Sequence, residues 1–186
     1  MRTVAVTLQS ITPYSQSRQH ETPKLNGETN DAHELRTWRD KCNCNDKGEI
    51  FIPAMGLKQC CDSAAKKSGL QIPGKGKSTY AKYFLADVIC DNDVYLGVYK
   101  ADVASVRISA NVDGIRGSGK RVWKTFPVIP TWVGIIANFT IMDDTVTREV
   151  FEQVLKIGGA SIGIGRFRPE KGGLNGRFKP TKFEWS

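Results

Sequence analysis

Along the 186 residues of the chain the hydrophobic positions fall into short blocks, most with the two-residue period of a strand and three with the spacing of a helix. Val4, Val6 and Leu8 alternate with Ala5 and Thr7, so residues 4–8 read as an opening strand. The polar stretch that follows, residues 10–31, has no apolar period, and a loop of that length inside a domain is as a rule functional or disordered. Leu35 and Trp38 share one face of a short helix over residues 32–42, with Asp31 as N-cap. Residues 49–52 are extended and stopped by Pro53. Residues 54–68 read as the first long helix: Met55, Leu57, Cys61 and Ala65 face a core, Lys58, Lys66 and Lys67 face outward, and Gly69 closes it.

The second half is rich in strands. Residues 83–90 and 94–98 read as strands around the turn Asp91-Asn92-Asp93, residues 105–112 as a strand before the turn Asp113-Gly114, and residues 121–129 and 131–142 as two more. A helix capped by Asp144 or Thr145 runs to about Ile157, with Val146, Val150, Val154 and Leu155 inward. A glycine-rich loop leads to a last strand, residues 177–185, of alternating Phe and Lys. The strongest elements succeed one another as β-α-β-β-α-β. That order predicts an α+β, ferredoxin-like (RRM-like) single domain over residues 1–186, carrying inserted loops and β-hairpins. Such a fold hosts many functions and selects none.

Charge narrows the choice. The chain carries 27 Lys+Arg against 19 Asp+Glu, a net charge of +8. Up to Leu57 seven cations (Arg2, Arg18, Lys24, Arg36, Arg39, Lys41, Lys47) meet seven carboxylates (Glu21, Glu28, Asp31, Glu34, Asp40, Asp46, Glu49), so the whole excess lies after it. A one-sided excess points to a polyanion, with nucleic acid ahead of a membrane because no basic segment is a long amphipathic helix. No apolar run approaches the roughly 20 residues of a membrane span, and the N-terminus turns polar too early for a signal peptide, so a cytoplasmic protein is expected. Five cysteines, an odd number, fit a reduced compartment. Cys42, Cys44, Cys60 and Cys61 have the count of a zinc site but not its spacing, because adjacent cysteines on a helix point about 100° apart. No metal and no cofactor are expected.

Three basic, glycine-bearing segments carry candidate binding chemistry. In residues 158–179, seven glycines accompany Arg166, Arg168, Lys171, Arg177 and Lys179, with Phe167 and Phe178 interleaved. Glycines let backbone amides approach an anion, cations supply charge and rings supply faces for bases. Residues 73–80 contain the Gly-Lys-Ser tail of a phosphate-binding loop, but Gln71 stands where its first glycine belongs and no helix follows. That reads as a basic loop, with Lys75 and Lys77 meeting phosphates beside Tyr80 and Tyr83, rather than an ATP site. Residues 113–124 form a third such segment, with Arg116, Lys120, Arg121 and Trp123. Repeated chemistry predicts one continuous groove. His20 and His33 are the only histidines, and no nucleophile or paired-carboxylate motif accompanies them, so no catalytic residue is assigned.

Two stretches resemble the RAMP superfamily, the ferredoxin-like proteins that include the backbone subunits of CRISPR effector complexes. Ile50-Phe51-Ile52-Pro53-Ala54-Met55-Gly56-Leu57-Lys58 is similar to that family's "yIPgSSlKG", and Ile157-Gly158-Gly159 with Gly163-Ile164-Gly165-Arg166-Phe167 is similar to its "iGg…GfGrv" loop. A small standalone member of phage or mobile-element type is the corresponding expectation. The resemblance implies that the helix after Pro53 and the glycine-rich loop line a groove for single-stranded nucleic acid, along which copies stack. Some members cut RNA with an aspartate in the loop after the first strand; Asp31 is the only aspartate there, and the activity is not carried over to it. The expected function is therefore non-enzymatic, sequence-independent binding of single-stranded DNA or RNA, with assembly on the strand. Lys58, Lys66, Lys75, Lys77, Arg116, Lys120, Arg121, Arg166, Arg168 and Arg177 would meet phosphates, and Tyr80, Trp123 and Phe167 would stack. The alternatives are an endoribonuclease of the same fold using His20 or His33, and a basic interaction protein that docks on a partner complex.

Overall fold

Alternation in the sequence becomes a sheet with one dry face. The computed structural model describes residues 1–112, 117 and 119–186. In chain order its elements are β1 (Arg2–Ser10), β2 (Tyr14–Ser15), α1 (Asn30–Thr37), β3 (Glu49–Ile52), α2 (Ala54–Ser68), α3 (Ala81–Asp87), β4 (Val88–Cys90), β5 (Val94–Tyr99), β6 (Ala104–Asn111), β7 (Arg121–Ile129), β8 (Val133–Ile141), α4 (Arg148–Ile157) and β9 (Phe178–Trp185). The architecture is α+β. Its main sheet has the order β4-β8-β1-β9, with every neighbouring pair antiparallel. Counting only these strands and the two long helices, the chain runs β1, α2, β4, β8, α4, β9. Two smaller ladders, β2-β7-β6 and β3-β5, are the insertions.

Val4, Val6 and Leu8 of β1, with Ala137, Phe139 and Ile141 of β8, form the inner face and are buried. Against them lie Leu57, Cys60, Cys61, Ala64 and Ala65 of α2 and Phe151, Val154 and Leu155 of α4. Phe151 is the hub: its ring meets Phe139 at 5.3 Å, Trp185 at 5.7 Å and Phe84 at 6.4 Å. Each fully buried aliphatic or aromatic side chain of this set contributes about 1.5–3 kcal/mol. The buried thiols behave as small hydrophobes, and burial pushes Cys60 and Cys90 up to about 12.

Four expectations change. Residues 81–87 are helical rather than extended, because Tyr80, Phe84 and Val88 recur at a spacing of four and are all buried while Leu85 faces water. The first helix begins at Asn30 under Thr29, whose Oγ1 accepts from the Ala32 N–H at 3.2 Å, so the cap is not Asp31. Met55 is exposed, and the core face of α2 is formed by Cys60 and Ala64 in its place. Likewise α4 is capped by Thr147 rather than by Asp144 or Thr145. The turn expected at Asp113-Gly114 lies outside the described residues. Among the described residues no helix is long and apolar enough to cross a membrane.

Candidate nucleic-acid interface

Two adjoining clefts run across one side of the molecule and share Ser17, Gly165, Arg166, Arg168 and Lys171. The first, about 570 Å³, lies between α2 and the glycine-rich loop, with Arg18, Asn43, Pro53, Gly56, Gln59 and Ser63 on its walls. The second, about 770 Å³, lies between that loop and the β6-β7 hairpin, with Ile108, Ala110 and Arg121 on its far wall. The two stretches that resemble the RAMP motifs, apart in sequence, therefore face each other: Pro53 and Gly56 on one wall, Gly163 to Arg166 on the other.

The glycine-rich segment is a packed structure. A π-helical turn over Gly158–Ile162 continues α4, and a 3-10 turn over Pro169–Lys171 follows. At Gly165, φ is +73° and a Cβ would sit on the Ser15 carbonyl and the Tyr14 ring; at Gly176, φ is +75° and a Cβ would sit on the Ile164 carbonyl. Several of the backbone amides that were expected to approach an anion are already committed. The amide of Arg166 donates to Ser15 O at 2.7 Å, that of Ile164 to Gly176 O at 3.0 Å, that of Asn175 to Phe167 O at 2.9 Å and that of Gly176 to Pro13 O at 2.7 Å.

Arg166 holds the point where the clefts meet. Its guanidinium carbon lies 5.1 Å from the centre of the Phe126 ring and 4.9 Å from that of Phe167. The two rings meet edge to face at 5.3 Å and 89°. Nε of Arg166 is buried with no hydrogen-bond partner among the described residues. Phe167 has φ 58°, the one described non-glycine residue in the left-handed region, a conformation that costs about 1–2 kcal/mol. The carboxylates on the groove walls are neutralised. Asp62 accepts from Lys58 at 2.5 Å, and Glu170 accepts from Nε and Nη2 of Arg168 at 2.9 and 2.8 Å. Arg121 donates from Nη2 to Ser109 O at 2.7 Å across the hairpin. What remains facing the groove is cationic: Arg18, Arg121, Arg166 and Lys171.

The sequence-based candidates divide accordingly. Arg121, Arg166, Phe167 and Arg168 are brought together. Lys58 is not available: besides Asp62 it donates to the carbonyls of Phe84 at 2.9 Å and Leu85 at 3.1 Å, locking α2 to α3. Tyr80, 5% exposed, is a core residue whose ring cannot stack on a base. No residue from 69 to 82 lines either cleft. Lys75 lies 5.5 Å from the Tyr83 ring centre, Lys77 is exposed, and Lys66 is exposed one turn beyond Ser63 on α2. Trp123 and Lys120 line a separate recess of about 620 Å³ between the hairpin and α1, with Asp31 and Glu34; Trp123 is exposed, with the Arg107 guanidinium carbon 5.5 Å from its ring centre. Arg177 bonds Ala160 O and lies outside both clefts. Arg116 lies outside the described residues. Sequence reading passed over Arg18, Gln16 and Asn43, because only folding brings the polar loop onto the groove: Arg18 N–H donates to Lys41 O at 3.0 Å.

His20 and His33 stack at 6.3 Å, both bonded to Thr22, and line neither cleft. Asp31 pairs with Arg107 at 2.5 Å.

No protein-family model matches the sequence, and no curated protein does either. Solved structures do share the fold. The crystal structure of Cmr6 from Pyrococcus furiosus superposes with a TM-score of 0.52 at 12% identity, over 97% of this chain and 98% of that one. A chain of the cryo-EM structure of the Type III-B Cmr-beta bound to cognate target RNA gives 0.54 at 16% identity, over 99% of this chain and 60% of that one.

Proposed function

We propose that this protein is a RAMP-type, non-enzymatic binder of single-stranded nucleic acid, held in the groove that joins the two clefts. The observation that carries the reading is the meeting of the clefts at Arg166, where a cation is fixed between two rings and every wall carboxylate is already paired. A positive track with aromatic faces suits a single strand, whose phosphates and bases present charge and π-surface at once. Because the side chains left facing the groove as free charges are cations, which meet the phosphates common to every sequence, binding is sequence-independent. RNA stands ahead of DNA, since a structural neighbour is a complex solved with its target RNA. Copies would follow one another along a long strand.

Affinity measured against salt with a fluorescent 20-nucleotide RNA tests this. Four groove cations each meeting a phosphate give a slope of log K against log salt near −3, at about 0.7 per contact on a single strand. Replacing Arg166→Gln and Lys171→Gln together lowers affinity by about tenfold or more and flattens the slope, with the RNA left intact after incubation. A flat salt dependence, or affinity untouched by the double substitution, defeats the proposal, and cleavage of the RNA transfers it to the endoribonuclease reading with His20 and His33.

A further inference from the structure

The β3-β5 ladder presents a second surface of related chemistry. Ile50, Ile52, Val94 and Leu96 point into the core, which leaves Phe51, Tyr95 and Tyr99 on the outer face. Phe51 and Tyr95 are direct cross-strand partners with ring centres 5.6 Å apart at 61°, and Tyr99 lies further along, opposite Glu49. Tyr95 and Tyr99 are 45% and 48% exposed. Beside Tyr99 a recess of about 580 Å³ is lined by Arg39, Lys47 and Lys100 against a single carboxylate, Asp102. Arg39 is seated on the Trp38 ring at 4.3 Å, so this cation is held in place.

The ladder is also tied to the groove. Gln16 Nε2 donates to Phe51 O at 2.7 Å, the Asn43 amide donates to Gln16 Oε1 at 2.7 Å, and the Phe51 amide donates to Asn43 O at 3.0 Å. Gln16, Asn43 and Ile52 all line the first cleft. The Phe51 backbone is thereby bonded to residues of the cleft, while its ring stands on the outer face of the ladder.

The charge count concealed this surface. The first 57 residues are neutral in sum, but Glu28 is paired with Arg36, Glu34 with Lys41 and Asp40 with Lys100. Once those pairs are removed, Arg39 and Lys47 stand without a paired carboxylate among the described residues, next to the exposed rings, and Asp46 and Glu49 without a paired cation.

We propose that the outer face of β3-β5 is a second seat for single-stranded nucleic acid, with bases stacked on Tyr95 and Tyr99 and phosphates met by Arg39 and Lys47. It extends the groove and rests on the groove being a nucleic-acid site. Exposed aromatic rings alone would equally suit a protein partner; Arg39 and Lys47, the recess cations with no paired carboxylate among the described residues, select a polyanion.

Ultraviolet crosslinking of uridine-containing RNAs of 6 and 20 nucleotides, with crosslinked residues identified by mass spectrometry, tests it alongside a Tyr95→Leu/Tyr99→Leu variant checked for an unchanged melting curve. The 20-mer is expected to crosslink at Tyr95 or Tyr99 and to bind the variant about tenfold or more weakly, while the 6-mer, which fits the groove alone, binds both proteins equally. A 20-mer that binds the variant as well as the unsubstituted protein, with crosslinks confined to the groove around Phe167, overturns the second seat and leaves the groove standing. Absence of binding by either RNA to the unsubstituted protein removes both.

Discussion

At the scale of single residues, the glycine-rich segment teaches the difference between a composition and its use. Gly, Arg and Phe interleaved in sequence suggested amides offered to an anion. Folding uses Gly165 and Gly176 instead to let backbone pass backbone, and so fixes Arg166 at the junction of the clefts. The presence of a glycine-rich loop with clustered cations was legible; the way it is built was not, because hydrogen-bond partners such as Pro13 and Ser15 come from the far end of the chain. Gly176→Ala tests this. Its φ of +75° and the Ile164 carbonyl behind it forbid a Cβ without backbone movement. The substitution is expected to cost roughly 3 kcal/mol. That corresponds to a fall in Tm of about 6–12 °C for a chain of this size, read by calorimetry. A fall below about 2 °C would mean that the segment yields easily and does not hold Arg166 rigidly.

At the scale of elements, α2, β7, β8 and β9 were legible because each keeps its period over enough of its length to name the element, whereas α3 was not. Its Tyr83 and Phe84, running on into Val88 and Ile89 of β4, favour a strand, whereas burial of Phe84 against Phe151 of α4 goes with about two turns of helix. The long polar loop was the other unread element, since it is held by charge rather than by apolar packing. Arg36 donates to both oxygens of Glu28 at 2.7 and 2.8 Å, and Asp40 accepts from Lys100 at 2.6 Å and from Thr22 at 2.7 Å. The Arg36 bonds hold the Glu28 carboxyl down at about 2, from an ordinary 4.5, and the Lys100 bond holds Asp40 below its ordinary value too. Groups whose folded values are lowered stabilise fully above their unfolded values and lose that contribution as pH falls through the folded ones. The strap should therefore loosen between about pH 4.5 and 2. Hydrogen exchange is the measurement: protection at the amides of Leu25 and Glu28 is expected to fall in that window before protection at Val6 in β1. Simultaneous loss at all three sites would show that the loop is not a separate unit.

At the scale of the whole molecule, the net charge of +8 was legible as a sign and not as a place. Three basic loops were expected to share one groove, yet only the glycine-rich loop and Arg121 of the hairpin do so, because strand topology carries residues 69–82 and the Trp123 face elsewhere. The same topology bears on assembly. β9 is an edge of the main sheet, paired on one side with β1 and with no strand on the other among the described residues. Lys179, Pro180 and Lys182 lie along it, and lysine and proline on an edge strand oppose pairing with another copy. Copies that follow one another on nucleic acid would thus need the strand as template rather than sheet-to-sheet addition. In its absence the protein should remain monomeric at tens of micromolar in roughly 0.15 M salt, where charge repulsion beyond about 8 Å is screened. Lys179→Thr/Lys182→Thr removes both charges and adds two residues that favour strands. Light scattering of this variant is expected to rise with concentration while that of the parent does not. Equal scattering from the two would show that the edge lysines guard nothing and that self-association is prevented by another surface.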